Sequence, residues 1–247
     1  MKESERFGQA KKKIIGRERI RHGIGTLAEK TVHAVLKNYY EPNEENHEIL
    51  IDNYVADIYA DGEIIEIQTR QLNAMRKKLQ AFLPSYPVTI VYPIPSKKWL
   101  IWIDEESGEC SKKRKSPLTG TPYHAFGELY KIKMFLCDPN LKIHLPLIEV
   151  EEYRLLNGWS RDKKKGSTRY DRVPLELNEI VVMECQQDYM QFIPYELESQ
   201  FTVKHFAKAA HIQKQLAGVV VHILHHIGVI RRIGKEKRSY LYEVVEE

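Results

Sequence analysis

The stretch "ADIYADGEIIEIQTR", residues 56–70, is the part of the sequence from which the fold is predicted. It consists of two apolar runs separated by Asp61-Gly62, and this dipeptide is the strongest short-range signal of a β-hairpin with a two-residue turn. Such a turn also fixes the register of the two strands. The predicted cross-strand pairs are Ala60–Glu63, Tyr59–Ile64, Ile58–Ile65, Asp57–Glu66 and Val55–Gln68.

Three polar side chains stand inside these apolar runs, and alternation places Asp57, Glu66 and Gln68 on one face of the hairpin. Two opposed carboxylates repel each other, and burial beside a core makes them costlier still. Either one carboxyl keeps its proton or a hard cation such as Mg²⁺ lies between the two. Two acids holding Mg²⁺ indicate metal-dependent phosphodiester hydrolysis. The alternative is a solvent-facing sheet surface on which both acids are ordinary polar residues.

The elements around the hairpin predict an α/β fold with a mixed sheet flanked by helices. A helix is predicted over 25–42, with Thr26 as N-cap and Glu29 completing a capping box. The order of the next elements is strand, strand, strand, helix, strand, strand. These elements are predicted at 47–54, 55–60, 63–70, 71–83, 87–95 and 97–104.

A helix with a Glu, a hairpin with an Asp and a Glu-x-Gln motif, in this order over residues 24–104, resemble the PD-(D/E)XK nuclease family. The resemblance implies a restriction-endonuclease-like core and a metal-dependent DNA endonuclease that uses Mg²⁺ or Mn²⁺. It implies that Asp57 and Glu66 bind the metal and that Glu29 binds or orients the metal and its waters. Gln68 would orient or activate the nucleophilic water.

Gln68 departs from the family pattern, which usually has Lys at this position. An amide carries no charge and cannot act as a base, although the family includes active enzymes with Glu-x-Gln. Arg70, Lys77 and Lys78 are alternative sources of positive charge. The rival interpretation is a catalytically inactive, nuclease-like DNA-binding regulator. Glu29 also has a competing role, because a capping-box Glu caps its own helix.

The second half of the chain predicts two further units. In 105–198, an exposed loop at 105–120 precedes a helix at 121–136 and strands at 142–156 and 173–185, which a basic loop at 158–172 connects. In 199–247, a short helix capped by Thr202, a longer helix ending at Gly228 and a hairpin around a basic turn predict a winged helix. Its alternative is a helical protein-docking or oligomerisation module. The remaining unit is a basic N-terminal arm, 1–23.

The net positive charge is small, but the basic residues are clustered. The net charge is +4, from 38 Lys and Arg against 34 Asp and Glu. Several basic clusters in one chain indicate a polyanion such as DNA, whereas any single cluster is also typical of a solvated loop. We expect DNA as the partner and leave a homodimer open. The predicted phosphate contacts are Lys163, Lys164, Lys165, Arg169, Lys235, Lys237 and Arg238.

Other function classes are disfavoured. The three cysteines form no Cys-x-x-Cys pair, and no apolar run reaches the roughly 18 residues of a membrane span. The N-terminus has no apolar signal-peptide region, so we expect a cytoplasmic protein. His222, His225 and His226 have helical spacing, but without a His-Glu-x-x-His motif or a cysteine partner they indicate surface or DNA-facing side chains.

Overall fold

The computed structural model describes residues 3–21, 30–159 and 165–245, with the side chains of 16–21, 158–159 and 165–166 outside the description. The helices are α1 (Glu3–Arg21), α2 (Thr31–Tyr40), α3 (Arg76–Phe82), α4 (Phe126–Leu129), α5 (Val203–Ala209) and α6 (Lys214–Ile227). The strands are β1 (His47–Ile51), β2 (Tyr54–Ala60), β3 (Glu63–Ile67), β4 (Val88–Val91), β5 (Ile94–Ile103), β6 (Arg114–Lys115), β7 (Leu141–Trp159), β8 (Lys165–Met183), β9 (Gln200–Phe201), β10 (Ile230–Glu236) and β11 (Ser239–Val244).

The predicted hairpin is confirmed near its turn. β2 and β3 pair through Ala60–Glu63, Tyr59–Ile64 and Ile58–Ile65. Asp61 and Gly62 both have positive φ, 52° and 83°, as the two central residues of a type I′ turn require. The backbone twist of this turn matches that of the flanking strands, which is why the dipeptide sets the register.

One mixed sheet joins the first three quarters of the chain. β1, β2 and β3 are antiparallel neighbours, β4 pairs parallel to β3, and β7 pairs parallel to both β4 and β5. β8 runs antiparallel along the other edge of β7, because residues such as Ile143 pair with β4 and β8 at once. The predicted boundary between 104 and 105 therefore lies within a continuous sheet.

Two apolar clusters cover the sheet. Ile64 and Ile90 join a cluster built with α3, α4 and α6, whereas Ile67 and Val91 join a cluster built with α1 and α2. Residues of opposite parity on one strand point to opposite faces, so the two clusters lie on the two sides of the sheet. The sheet is therefore covered by helices on both faces, as predicted.

The N-terminal helices differ from prediction. The predicted arm is helical over Glu3–Arg21, and Phe7 packs its ring against Tyr39 of α2. α2 begins at Thr31 rather than near Thr26, because Lys30 has an extended backbone. Thr26 and Glu29 lie outside the described residues.

The cap of α2 comes from a distant strand. Lys30, the residue at the N-cap position, gives α2 no side-chain hydrogen bond. Asp171 of β8 instead accepts hydrogen bonds from the backbone N–H of Thr31, at 3.4 Å, and from its hydroxyl group. A carboxylate that accepts from the first turn satisfies a donor that the helix itself leaves unpaired.

Two predictions for the middle of the chain are wrong in detail. Most of the predicted basic loop 158–172 is strand, because β7 continues to Trp159 and β8 starts at Lys165. The predicted helix 121–136 is a series of short pieces: two 3₁₀ segments flank α4, with a non-helical Ile132 inside the second.

The C-terminal segment contains the predicted element order of helix, helix and hairpin. The side chain of Thr202 accepts from the N–H of His205, and Gly228 ends α6 with φ 91°, as predicted. β9 extends the hairpin to a three-stranded sheet in the order β10-β11-β9. Phe206, Ala217 and Leu224 join the apolar cluster of α3 and α4. Among the described helices, none has the length and apolar character needed to cross a membrane.

Candidate active site

Asp57 and Glu66 lie where β2 and β3 separate. The ladder ends at Ile58–Ile65, and the Asp57 carboxylate accepts the next backbone N–H of β3, that of Ile67, at 2.8 Å. On the other edge of β3, Glu66 stands opposite Ile90 of β4. The predicted ladder pairs Asp57–Glu66 and Val55–Gln68 are therefore not formed, but the carboxylates of Asp57 and Glu66 remain close enough to interact electrostatically.

Glu66 is a fully buried acid, with 0% of its side chain exposed. The Nζ atom of Lys78, on α3, donates to its two carboxylate oxygens at 2.7 and 2.9 Å. Burial and the charge of Asp57 raise the pKa of Glu66 to about 7, although the Lys78 ammonium acts in the opposite direction. Glu66 can therefore gain or lose a proton near neutral pH.

Asp57 is held as an anion by its neighbours. Its Oδ2 lies 3.2 Å from Nε2 of His33, on α2, and also accepts the Ile67 N–H. Burial alone would raise the pKa of Asp57, but His33, the Ile67 N–H and Lys78 together lower it below its usual value. Two neighbouring carboxyls with pKa values pushed apart are typical of acid–base sites.

Lys78 is the one of the three alternative cations that contacts the acids. Lys77, its neighbour on α3, is exposed, and Arg70 is exposed beyond the end of β3. Gln68 follows β3 directly, and its backbone N–H donates to the Val91 carbonyl oxygen at 2.9 Å, which fixes the backbone at this position. The position of the fourth predicted site residue, Glu29, lies outside the described residues.

His33 was not predicted. The sequence shows only a histidine within a predicted helix, and its contact with Asp57 depends on how α2 packs on the sheet. Lys78 was predicted only as one of three alternative sources of positive charge, because the sequence predicted its helix but not the direction of its side chain. Neither contact leaves a periodic signal in the sequence.

The acid pair suits a hard divalent cation only in part. Asp57 and Glu66 offer carboxylate oxygens, and Mg²⁺ is commonly bound by one or two carboxylates plus waters and substrate phosphates. Throughout the described ranges, no group of three His, Cys, Asp or Glu residues is arranged to hold a metal. Because Lys78 already donates to both Glu66 oxygens, its ammonium group would have to share or leave this position when a metal binds.

The predicted phosphate contacts fall into two places. Arg169 is on β8, Lys165 begins that strand, and Lys163 and Lys164 lie outside the described residues. Lys235, Lys237 and Arg238 are exposed on the β10–β11 hairpin. Lys235 lies 5.3 Å from the centre of the Tyr240 ring. The hairpin therefore presents both cations and an aromatic ring to solvent.

Two of the three histidines of α6 contact Lys133, and the third contacts Tyr242. Nε2 of His222 lies 3.0 Å from Nζ of Lys133, and Nε2 of His226 lies 3.0 Å from the Lys133 carbonyl oxygen. His225 contacts the edge of Tyr242. His222 and His226 are exposed, which confirms the surface interpretation for these two residues.

Comparison with known proteins places the sheet in a family. Residues 30–184, more than half of the chain, match the family described as "Domain of unknown function (DUF8091)". The chain belongs to this family. The DUF8091 domain therefore runs from the start of α2 to the end of β8 and contains Asp57, Glu66 and Lys78.

A protein of Treponema pallidum (strain Nichols), described as "Uncharacterized protein", is 26% identical over 167 residues, which are 67% of this chain and 64% of that protein. The chain thus spans less than two thirds of the length of this curated relative. No solved structure matches the chain.

Proposed function

We propose that the DUF8091 domain is a metal-dependent DNA endonuclease of the PD-(D/E)XK type. The observation that carries the proposal is the buried Glu66 carboxyl beside Asp57. The Lys78 ammonium group lies within 2.9 Å of both Glu66 carboxylate oxygens. The order of helix, three antiparallel strands, helix and parallel strand supports it, because the resemblance implied this order. A lysine from α3 supplies the charge that Gln68 lacks.

Asp57 and Glu66 are the residues that would hold Mg²⁺ or Mn²⁺. The metal would lower the pKa of a bound water and offset negative charge on the scissile phosphate. His33 and the Ile67 N–H hold the Asp57 carboxylate in position and ionised. Lys78 places a positive charge beside the reacting phosphate, and the Gln68 amide orients the attacking water.

A specific observation also favours the rival function, a nuclease-like DNA-binding regulator without catalysis. Lys78 neutralises Glu66 in the way that a metal would, so the acid pair is already compensated. In both functions the C-terminal segment acts as a winged helix, with α6 in the major groove and the β10–β11 hairpin as the wing. Lys235, Lys237 and Arg238 would then contact phosphates.

The test compares nicking of supercoiled plasmid in Mg²⁺ or Mn²⁺ by the wild type, Asp57→Asn and Glu66→Gln. Both substitutions keep the side-chain shape while removing a charge, so we expect cleavage to be lost and DNA binding to be retained. Glu105→Gln, on an exposed loop, is the matched control and should cleave normally. Cleavage that survives Glu66→Gln would place the chemistry elsewhere.

Thermal unfolding with Mn²⁺ separates the enzyme from the regulator. Binding to the folded state alone raises the melting temperature, so an enzyme should show a rise that the Asp57→Asn and Glu66→Gln double variant lacks. No rise, together with no cleavage by the wild type, would favour the regulator.

A further inference from the structure

A second buried acid, Glu152 on β7, organises a group of arginines. Its side chain is 1% exposed. Nε and Nη2 of Arg154 donate to its Oε1 at 2.8 and 2.6 Å, and Nε of Arg172 donates to its Oε2 at 2.7 Å. Each carboxylate oxygen is therefore satisfied, and the two guanidinium groups are held in fixed positions.

A bulge in β8 brings a third arginine to the same face. Glu152 pairs with Arg172, and Arg154 pairs with Arg169. Residues 169 and 172 are three apart and would ordinarily point to opposite faces, but the register shift between Tyr153 and Arg154 removes one step. Arg169 thus lies across the strand from Arg154, on the face that Glu152 occupies.

Two more cations complete the group. Lys98 of β5 stands opposite Val150, two residues from Glu152 on the same face. Arg70, beyond the end of β3, is close enough to act on Arg169: partial burial and the charges of Arg172, Arg70 and Arg154 lower the pKa of Arg169, against the effect of Glu152. Two arginines therefore bind the Glu152 carboxylate, and three further cations lie close enough to interact with this pair or with one another.

This arrangement exceeds what a structural ion pair needs. Arg154 and Arg172 already satisfy Glu152, and none of the described acids lies within ion-pair distance of Arg70, Lys98 or Arg169. Burial and the neighbouring arginines lower the pKa of Lys98 despite the attraction of Glu152, so the cations repel one another. A bound anion would relieve this repulsion.

We propose that this group, the arginine site (Arg70, Lys98, Arg154, Arg169 and Arg172), binds a phosphate group of a nucleic-acid strand. Guanidinium forks match phosphate oxygens, and two of them are preorganised by Glu152. The phenol of Tyr92, close enough to Arg172 and Arg169 to feel their charges, adds a hydroxyl donor. Arg70 follows Gln68 by two residues, beyond the end of β3, so one member of the arginine site is close in sequence to the candidate active site.

The assignment to nucleic acid rests on the proposed function, whereas the phosphate chemistry rests on the arginine site itself. The test is a binding measurement with EDTA present, so that metal and cleavage play no part. Inorganic phosphate is titrated in thermal unfolding, and a short single-stranded DNA, with or without a terminal phosphate, is titrated by fluorescence anisotropy. The proteins are the wild type, the double variant Arg70→Gln and Arg169→Gln, and the control Lys12→Gln on exposed α1 surface.

We expect phosphate to raise the melting temperature of the wild type and of Lys12→Gln, with most of the rise abolished in the double variant. The affinity for DNA should fall roughly tenfold in the double variant, equivalent to about 1.4 kcal/mol. Tighter binding of the strand with a terminal phosphate would identify a phosphomonoester as the ligand, and equal binding would identify an internal phosphodiester.

Equal responses of the wild type and the double variant to both probes would overturn the site. A response to inorganic phosphate without strand binding would overturn its assignment to nucleic acid. None of these binding measurements depends on cleavage. A negative plasmid assay would therefore leave a positive phosphate result valid, and a negative phosphate result would leave a positive plasmid assay valid.

Discussion

Lys78 opposes the effect of burial on Glu66, the most deeply buried acid of the candidate active site, and favours its ionised form. With a pKa of about 7 in the folded state and an ordinary value of 4.5, Glu66 binds its proton more tightly when the chain is folded. Such a group contributes stability that is present below pH 4.5 and is lost as pH rises toward 7. Above that range, the Lys78 ammonium is the principal compensation for the buried charge.

Replacing Lys78 with Met should therefore destabilise the protein in a pH-dependent way. At pH above the Glu66 pKa, we expect a loss of about 3 kcal/mol in the free energy of unfolding, because an ionised acid is left buried without its partner. At pH 5 the carboxyl is protonated and the loss should be much smaller. Urea unfolding at both pH values measures the difference.

The neighbouring residue provides the control. Lys77→Met makes the same chemical change on the exposed face of α3 and should alter stability by less than about 0.5 kcal/mol at either pH. An equal loss at both pH values for Lys78→Met would mean that packing of the lysine stem, rather than its charge on Glu66, is what matters.

At this scale the sequence predicted the acids but not their partners. Asp61-Gly62 has one preferred turn, so counting from it placed Asp57 and Glu66 near each other. His33 and Lys78 reach them from helices on different sides of the sheet, and helix rotation on a sheet depends on the whole apolar cluster. The end of the β2–β3 ladder at Ile58–Ile65 was also not predictable, because the Asp57 side chain, rather than a backbone carbonyl of β2, accepts the Ile67 N–H.

Among the elements, the β10–β11 hairpin carries five Lys and Arg residues, and its stretch 231–240 is exposed throughout. Arg232 lies 4.1 Å from the Tyr240 ring centre, and Lys235 lies on the same ring. Cation–π contacts with one ring restrict the positions of both cationic side chains. The hairpin is thus suited to follow a phosphate backbone.

Neutralising this hairpin tests the winged-helix proposal. Changing Lys235, Lys237 and Arg238 to Gln should flatten the dependence of log affinity for duplex DNA on log salt by about 0.9 for each DNA phosphate that the variant no longer neutralises. The same number of charges removed at Lys112, Arg114 and Lys115, on a distant exposed segment, should leave the slope nearly unchanged. Identical slopes for the hairpin variant and the wild type would exclude the hairpin from DNA binding.

The sequence predicted short elements better than long ones. Strand-like runs such as β2 and β3 were recognised and are confirmed, whereas β5, predicted from 97, begins at Ile94. The basic segment 158–172 was predicted as loop because the ends of β7 and β8 form a two-stranded ribbon with polar residues on both faces. Without a buried face there is no alternation, so such a strand resembles a loop in sequence.

On the scale of the whole molecule, β7 is the strand that unites the sheet. Its residues pair with β4 and then β5 on one edge and with β8 on the other. The DUF8091 match, residues 30–184, covers all of these strands together. Local sequence patterns could not predict the position of β7 between these strands, because the pairing of strands that are distant in sequence depends on the complete fold.

A fragment ending at Asp104 should consequently fail to fold. It would keep Asp57, Glu66 and Lys78 but leave β4 and β5 as an unpaired edge, with the apolar residues that face α4 and α6 exposed. We expect poor dispersion in amide NMR spectra, compared with the full chain under the same conditions. A well-dispersed spectrum would show that residues up to 104 form an independent domain.

The borrowed cap of α2 fixes when the acids can acquire their surroundings. A helix of 10 residues is marginal in isolation, and the carboxylate that caps it is 140 residues away in sequence. During synthesis, the ribosome has released Asp57, Glu66 and Lys78 long before Asp171 emerges. We expect His33 to take its place against Asp57 after β8 has paired with β7, and Asp171 follows Glu66 by 105 residues, so the acids are synthesised well before the residue that caps the helix carrying His33.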